Sequence, residues 1–376
     1  MDTGLYRAAL EPFEAETEEL LPAGAEVFEA HTHLGLDEDG RSLDLATLLA
    51  QLDQAHATGA CVFPLHDPER RPAYSVPNDR VLAWSAESDG RLVPFCRLDP
   101  SEGPVQEAER CLALGARGIK LHPRAQSFRL DGPEMNDIFA FAEEARIPIL
   151  IHAGRGMPPI ADDLSNLALR HPGAALILAH AAICDQGILT TRLRGHPAVL
   201  YDTSCFFPVD VVQLLARAST ERIVFASDPP YGLPAATLYL LLRVARQARL
   251  DEDAVRLMLA GTMRELLSGA PLTAATPPRR GGEITLPGRL ARVTAYISIV
   301  GPALFAGAVD QARQMLDLAI AACRDGDPGD DAAELDALHV ALSAALRLLD
   351  EDEGGRPAFD LIYRANARAA TAPASR

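Results

Sequence analysis

The feature that most constrains the fold is a series of eight short apolar runs, rich in Val, Ile and Leu, that start 23 to 34 residues apart. Helix-like segments with apolar residues at three- and four-residue spacing separate them. The predicted strands are Glu26–Leu34, Ala60–His66, Leu92–Leu98, Arg117–His122, Ile147–Ala153, Ala175–Ala181, Ala198–Thr203 and Arg222–Ser227. The clearest predicted helices are Leu43–Ala57, Val105–Leu114, Glu134–Ala145 and Val209–Ala218. Repeated βα units of this length require parallel strands joined by crossover helices.

The number of units predicts how the sheet is arranged. The last predicted helix ends near Gly269. The length of the eight units is therefore close to the ~250 residues that are typical of a closed (β/α)8 TIM barrel. The structural alternative is a doubly wound open sheet. No G-x-G-x-x-G motif follows the first strand, and evenly spaced units favour closure. The sequence therefore predicts an α/β fold built on a (β/α)8 barrel.

Flanking segments extend this predicted barrel, which we place at residues 25–270. Residues 1–24 predict one amphipathic helix, and residues 271–287 have the Pro-, Gly- and Thr-rich composition of a linker. Residues 288–376 predict a helical appendix without a catalytic pattern. Its helices are expected at Arg289–Ile299, Ala308–Cys323, Asp331–Leu349 and Ala358–Ala369.

Charge and cysteine usage restrict the partners and the compartment. A net charge of −17 argues against nucleic acid or an anionic membrane, because both require a basic surface. The six Cys are scattered without a C-x-x-C pair, which is typical of reduced thiols in a cytosol. The acidic N-terminus does not resemble a signal peptide, and the longest apolar stretch, Ala295–Val309, is too short to span a bilayer. We therefore expect a cytoplasmic protein that acts on a small molecule.

Histidines concentrate at the predicted strand ends, where barrels of this kind carry their active sites. Strand eight ends in a carboxylate, Asp228. Six of the ten histidines end predicted strands, namely His31, His33, His66, His122, His152 and His180. This distribution predicts a site at the carboxyl end of the barrel.

The residue types at these strand ends predict a metal site. Side chains alternate along a strand, so His31 and His33 point the same way. With His152 from strand five and Asp228 from strand eight, they supply three neutral nitrogens and a hard oxygen. Such a set suits Zn²⁺ or a similar divalent ion and leaves one position open for water. A metal there lowers the pKa of the bound water and polarises a substrate carbonyl.

Five motifs also resemble the amidohydrolase-related (amidohydrolase 2) family of metal-dependent hydrolases. The resemblance covers about residues 25–268, in the family's order and spacing. The motifs are Glu-Ala-His-Thr-His-Leu-Gly (29–35), Gly-Ile-Lys-Leu-His-Pro (118–123), Ile-Leu-Ile-His-Ala-Gly (149–154), Ile-Leu-Ala-His-Ala (177–181) and Phe-Ala-Ser-Asp-Pro-Pro (225–230). Glu29 departs from the family pattern, which more often has Asp before the first histidine. The appendix after residue 271 is outside the resemblance.

The resemblance implies roles for individual residues. His31, His33, His152 and Asp228 would hold one divalent ion, with Zn²⁺ as the expected metal. His180 would lie beside the metal-bound water as a catalytic residue. Some branches of the family decarboxylate their substrates, so the resemblance defines the metal site better than it defines the reaction.

Lys120 is the only lysine among the 35 basic residues. In binuclear relatives of the superfamily, a lysine on strand four is carbamylated and bridges two metals, so a carbamate is one hypothesis for Lys120. The other is a buried ammonium that pairs with Glu29 or Asp228. His122, nearer the barrel mouth, is predicted to contact substrate or a second ion.

Arginines follow three consecutive predicted strands at the barrel mouth, at Arg97, Arg124 and Arg155. A guanidinium matches a carboxylate, so these residues predict an anionic group on the substrate. The alternative is that some of the many arginines fall on βα loops without a role.

Three functional hypotheses follow from these residues. The first is a metal-dependent hydrolase acting on a small, carboxylated molecule, with Asp228 moving the water's proton and His180 stabilising the oxyanion. The second is a metal-dependent decarboxylase (carboxy-lyase) that uses the same site. The third is a non-catalytic barrel scaffold whose appendix binds a partner. The appendix could alternatively cover the active site or form a homo-oligomer.

Overall fold

The computed structural model describes residues 3–278, 286, 288–351 and 355–371. The remainder of the predicted linker, residues 279–285 and 287, lies outside the described residues, as do residues 1–2, 352–354 and 372–376 of the predicted flanking segments. The strands are β1 (Val27–Leu36), β2 (Ser42–Leu43), β3 (Ala57–Pro64), β4 (Leu92–Pro94), β5 (Cys96–Arg97), β6 (Ile119–Leu121), β7 (Ile149–Ile151), β8 (Leu176–Leu178), β9 (Val199–Asp202) and β10 (Ile223–Val224).

Helices alternate with these strands and then continue alone to the end of the described chain. They are α1 (Thr3–Leu20), α2 (Leu45–Gln54), α3 (Ser75–Ala86), α4 (Pro104–Ala113), α5 (Pro123–Gln126), α6 (Pro133–Ala145), α7 (Ala161–Arg170), α8 (Gln186–Arg192), α9 (Pro208–Arg217), α10 (Pro234–Gln247), α11 (Glu252–Arg256), α12 (Thr262–Ser268), α13 (Gly288–Phe305), α14 (Val309–Arg324), α15 (Ala332–Glu351) and α16 (Arg356–Ala370). A π-helical turn, Leu257–Gly261, joins α11 to α12. Proline begins α4, α5, α6, α9 and α10, a position where its missing N–H costs no hydrogen bond.

The strands form two sheets, in the orders β2-β1-β3-β4 and β10-β9-β8-β7-β6-β5. Apart from the antiparallel β2, the paired strands are parallel. A hydrogen bond of 2.8 Å from the Phe95 N–H to the Val62 carbonyl links the sheets between β4 and β5. At the opposite edges, Ala30 donates to Phe225 and His33 donates to Pro229, each at 2.9 Å. The first and last strands are therefore neighbours. Because β4 and β5 are two halves of the one predicted strand Leu92–Leu98 and β2 is an antiparallel addition, eight parallel strands remain, and the predicted (β/α)8 barrel is confirmed.

The alternation of side chains along the strands produces two apolar layers. One layer fills the barrel interior and is formed by Phe28, Ala30, Cys61, Phe63, Phe95, Leu150, Ile177, Ala179, Leu200, Val224 and Ala226, with Ala260 and Met263 packed against them. The alternate positions, such as Ile149 and Ile151, face the surrounding helices. All six cysteines are free, as predicted. Among the described residues, no helix is long and apolar enough to cross a membrane.

The regular strands are shorter than the apolar runs predicted. The run Ala175–Ala181 ends as β8 at Leu178, because His180, Ala181 and Ala182 adopt left-handed backbone angles, with φ of 56°, 55° and 52°. His180 therefore lies in a turn beyond the strand. Such angles are uncommon for residues other than glycine, and they cluster at functional sites.

The predicted N-terminal helix and the four appended helices are present and pack together on the barrel. Helix α16 contacts α10, α13 and α15, while α1 contacts α10 and α15. A partly buried ionic group connects these elements. The Arg243 guanidinium lies 2.5 Å from Glu16 Oε1, and Arg368 lies 2.5 Å from Glu334 and 3.6 Å from Glu16. The appended helices therefore pack against α10 of the barrel and do not stand apart from the barrel.

Candidate metal centre and active site

Three of the predicted ligand side chains meet at the carboxyl end of the barrel. His31 and His33 lie on β1, and Asp228 follows β10. The His31 and His33 Nε2 atoms are 3.3 Å apart, and each lies 3.2 Å from Asp228 Oδ1. All three residues are buried. The backbone hydrogen bond from the Asp228 N–H to the His31 carbonyl, at 3.0 Å, fixes the two strand ends against each other.

These three atoms have the spacing and the chemistry of a divalent-metal site. Ligand atoms bound at about 2.0–2.1 Å to a tetrahedral ion lie about 3.3 Å from one another, and the three separations here are 3.2 and 3.3 Å. Asp228 Oδ1 is buried and has no hydrogen-bond partner among the described residues. Although burial raises the pKa of Asp228, the neighbouring His31 and His33 outweigh it and hold that pKa well below its usual range. The residues therefore fit a divalent ion.

Asp202, at the end of β9, is a site residue that the sequence reasoning missed. Its Oδ2 lies 2.7 Å from His31 Nδ1, and its Oδ1 accepts from the His180 N–H at 2.7 Å. Ser204 also donates to Oδ1, from its hydroxyl at 2.6 Å. A carboxylate on Nδ1 fixes the tautomer that leaves Nε2 free to bind a metal. The available signal was a strand that ends in Asp, as strand eight does.

Replacing Asp202 with Asn should weaken metal binding by about 10- to 100-fold, because loss of a carboxylate behind a ligating histidine typically has that effect. The measurement is a competition titration of zinc against a chromophoric chelator. Glu143→Gln is the matched control, since Glu143 pairs with His171 at 3.3 Å outside the cluster. An Asp202→Asn protein with wild-type affinity would show that this carboxylate does not support the metal.

His152 and His180 form a second pair beside the first three residues. His180 Nε2 lies 3.0 Å from His152 Nδ1, and His180 Nδ1 lies 2.8 Å from the Ser204 carbonyl. His152 Nε2 is buried with no hydrogen-bond partner among the described residues. A Cβ on Gly154 would come within 2.8 Å of the His180 ring, which explains the glycine two residues after His152.

The structure brings His180, rather than His152, close to the predicted ligands His31 and Asp228. One nitrogen or oxygen from each of His31, His180 and Asp228 lies within 4.8 Å of the others. The sequence had predicted His152 as the ligand and His180 as a residue beside the water. Both assignments stay predictions, and the turn that redirects the chain at His180 is the reason the two positions are close.

Lys120 on β6 is fully buried and lies against His31, the first of the predicted metal ligands. Its Nζ is 3.0 Å from His31 Nε2 and 4.6 Å from the centre of the Phe63 ring. Burial lowers the pKa of Lys120 to about 7, against the charge of Asp228, which raises it. The predicted partner of the ammonium was Glu29 or Asp228. Among the described residues neither carboxylate forms an ion pair with Lys120, and the Glu29 carboxylate accepts from the backbone of His31 and from Ser227.

Replacing Lys120 with Arg should lower the melting temperature and the metal content together. A planar guanidinium is larger than the ammonium that fits between His31 and Phe63, and it keeps its charge where lysine can lose a proton. Thermal unfolding and elemental analysis measure the two effects. Arg194→Lys, an exchange of the same two residue types at an exposed position, should change neither. Full stability and metal content in Lys120→Arg would remove any special role for this lysine.

The predicted substrate-binding residues surround a cavity of 590 Å³ above the cluster. The His122 ring stacks on the His152 ring with centres 3.8 Å apart. Arg97 is buried, and its Nη2 has no hydrogen-bond partner among the described residues. Arg124 lies at the rim with its Nη1 3.4 Å from the Arg155 carbonyl. Arg155 itself pairs with Asp210 at 2.7 Å, which compensates its charge.

The opposite wall of this cavity comes from the appended helices. Helix α13 contributes Ile297, Ser298, Gly301, Pro302 and Phe305, and helix α16 contributes Phe359, Ile362, Tyr363 and Asn366. Of the three arrangements open from the sequence, the structure therefore supports the one in which the appendix covers the site. We call these two helix faces the roof of the cavity.

The fold and the site together are those of metal-dependent barrel enzymes. Eight βα units form the barrel, and histidines and an aspartate gather at the carboxyl ends of its strands. A family model described as Amidohydrolase (Amidohydro_2) matches residues 29–268. The chain therefore belongs to the amidohydrolase 2 family, as the motifs predicted. Enzymes of the superfamily are metal-dependent hydrolases or lyases.

Solved structures with the same fold share little sequence with this chain. An uncharacterised TIM-barrel protein from Bordetella bronchiseptica is 14% identical, with 65% of this chain and 98% of that chain covered and a TM-score of 0.53. The IDCase of Metarhizium anisopliae in apo form is 15% identical, with the same coverage and TM-score. A Burkholderia multivorans amidohydrolase with bound HEPES is 13% identical, with 65% and 99% covered and a TM-score of 0.51. A search of curated proteins gives no match.

Proposed function

We propose that this protein is a metal-dependent hydrolase that acts on a small carboxylated molecule with one bound divalent ion, Zn²⁺ being the expected metal. His31, His33, His152 and Asp228 would hold the ion. The observation that carries the proposal is the 3.2–3.3 Å spacing of His31, His33 and Asp228, which matches adjacent ligands of one small ion.

Each remaining polar residue of the site has a distinct task in this proposal. When bound, the metal supplies a Lewis acid and an activated water. Asp228 takes the proton of the attacking water and passes it to the leaving group. His180, whose Nδ1 donates to the Ser204 carbonyl, would stabilise the developing oxyanion in its imidazolium form, which also carries a proton on Nε2. Asp202 orients His31 from behind.

The substrate's carboxylate would bind on the arginine side of the cavity. Arg97 lines the cavity and forms no ion pair within the described part of the chain. A buried guanidinium without a carboxylate partner is costly unless a ligand supplies one. Arg124 at the rim would assist. The contact between Arg155 and Asp210 makes Arg155 the weakest of the three predicted anion-binding residues.

A carboxy-lyase is the second candidate for the same site. The guanidinium of Arg97, which has no carboxylate partner within the described part of the chain, would then hold a carboxylate that leaves as CO₂, and His180 or Asp228 would deliver a proton to the carbon left behind. The IDCase of Metarhizium anisopliae has the same fold, so a barrel of this kind is also compatible with an enzyme of that name.

One experiment tests the proposal and separates it from the alternatives. The purified protein is assayed for metal by elemental analysis, and a panel of carboxylated esters, amides and lactones is screened before and after chelation. We expect stoichiometric metal and a hydrolytic activity that chelation abolishes and zinc restores. Release of CO₂ without a hydrolysis product would establish the lyase. A metal-free protein that stays active in chelator would overturn both the hydrolase and the lyase. A protein that is metal-free and inactive would also overturn both and would favour the non-catalytic barrel scaffold.

A further inference from the structure

The roof of the cavity is made by a single face of each helix. On α16 the cavity-lining residues Phe359, Ile362, Tyr363 and Asn366 follow the spacing i, i+3, i+4 and i+7. On α13 the lining residues from Ile297 to Phe305 follow the spacing i, i+1, i+4, i+5 and i+8. These spacings place each set on one side of its helix. Both helices therefore direct a largely apolar face at the barrel mouth.

The roof is attached to the loops that follow the catalytic strands. The Tyr363 hydroxyl donates to the Cys205 carbonyl at 2.5 Å, three residues beyond Asp202. The Arg41 guanidinium lies 4.8 Å from the centre of the Phe305 ring and 5.4 Å from that of Tyr231, three residues after Asp228. The roof is thus held at both ends to the loops that carry the site.

One polar group interrupts the apolar face of α16. Only 7% of the surface of Asn366 is exposed, and its Oδ1 has no hydrogen-bond partner among the described residues. It lines the same cavity as the cluster. Because a buried amide without a partner is unfavourable, a polar group of a bound molecule is the partner that this position calls for.

We propose that α13 and α16 form the distal half of the substrate-binding site and select an amphipathic carboxylate. Its carboxylate end faces Arg97 and the metal cluster, and its apolar body lies against Ile297, Phe305, Phe359 and Ile362. A hydrogen-bonding group at its far end meets the Asn366 amide. This inference rests on the proposed function, since that function places the reacting end at the cluster. A cavity of 590 Å³ is within the range of small-molecule sites.

Binding of simple carboxylates to the zinc-loaded protein tests the apolar roof. Isothermal titration calorimetry with acetate, phenylacetate and phenylbutyrate should give affinities that rise along the series, with phenylbutyrate at least about tenfold tighter than acetate because its ring and methylenes are buried. Equal affinities for the three acids would overturn the proposal.

Two opposite changes to the roof sharpen this test. Gly301→Leu adds a side chain inside the cavity wall, where a Cβ meets only the Phe359 ring at 3.8 Å, and removes a helix-weakening glycine. We expect about tenfold weaker phenylbutyrate binding with acetate binding unchanged. Phe305→Ala, at a side chain that is 62% exposed, removes apolar contact and should weaken phenylbutyrate about threefold. Ala295→Leu, on the exposed side of α13, should change neither affinity.

Asn366 is tested with a matched pair of ligands, phenylbutyrate and its para-carbamoyl derivative. In Asn366→Leu, which conserves volume, the carbamoyl compound should lose about tenfold in affinity relative to the parent acid. An equal change for both ligands would refute the hydrogen bond. The experiments distinguish failure of the proposed function from failure of this inference. If metal and acetate do not bind, the proposed function is wrong. If acetate binds normally and phenylbutyrate binding is insensitive to Gly301→Leu, only the proposed role of the roof in substrate binding is refuted.

Discussion

Alanine in place of Asp228 should leave the purified protein almost free of metal and inactive, while its circular dichroism spectrum stays that of the wild type. Asp228 supplies the only carboxylate oxygen among the four predicted ligands, and its Oδ1 lies 3.2 Å from both His31 Nε2 and His33 Nε2. Without Asp228, the remaining predicted ligands are neutral imidazoles, and no negative charge offsets that of a divalent ion. His31→Ala should have the same effect. Elemental analysis after purification in metal-supplemented medium measures it.

The controls for these variants are histidines that lie outside the cluster. His171 ends helix α7 and contacts Glu143 and Asn136, while His339 lies on helix α15. His171→Ala and His339→Ala should retain the wild-type metal content. Should Asp228→Ala instead purify with a full complement of metal, this carboxylate is not a ligand and the assignment of the centre fails.

Replacing His180 with Asn should preserve the metal and reduce kcat by about 10²-fold or more, which is the contribution typical of a positioned general acid or base. The reason is geometric: His180 is oriented by Ser204, at 2.8 Å from its carbonyl, and by Asp202 through its own backbone N–H. The experiment compares kcat and metal content in the same preparation, using any substrate that the wild-type protein hydrolyses.

His196→Asn provides the control for the His180 variant. His196 is buried like His180, but it bonds to the Ala168 carbonyl away from the cavity, so kcat should not change. Loss of metal from His180→Asn would have a different meaning. It would place His180 among the ligands, in agreement with its grouping with His31 and Asp228 within 4.8 Å.

The barrel and most of its site could be predicted because both depend on local patterns. Eight apolar runs at regular spacing define the parallel strands, and parallel strands bring their carboxyl ends to one face. Histidines at those ends therefore had to meet. The position of His180 was harder to predict, because its left-handed backbone angle ends β8 early, and the apolar run Ala175–Ala181 gives no sign of that turn.

Two other parts of the site depend on contacts between distant residues. Asp202 and His31 are separated by 171 positions, and an aspartate at a strand end does not reveal which side chain it will meet. The roof of the cavity also depends on contacts between distant residues. The apolar spacing on α13 and α16 predicts that one face of each helix is covered, but only the packed structure places the barrel mouth beneath it.

The chain order of the roof has a consequence for how the protein acquires its metal. Every predicted ligand, from His31 to Asp228, leaves the ribosome before α13 and α16 have been synthesised. At about 5–20 residues per second, several seconds separate the last ligand from the last helix, and during that time the nascent barrel mouth has no cover. Metal that enters then meets an open centre, whereas metal that arrives later must pass the folded roof. Removal and reloading of the ion in the folded protein should therefore be slower than uptake of metal by the nascent barrel.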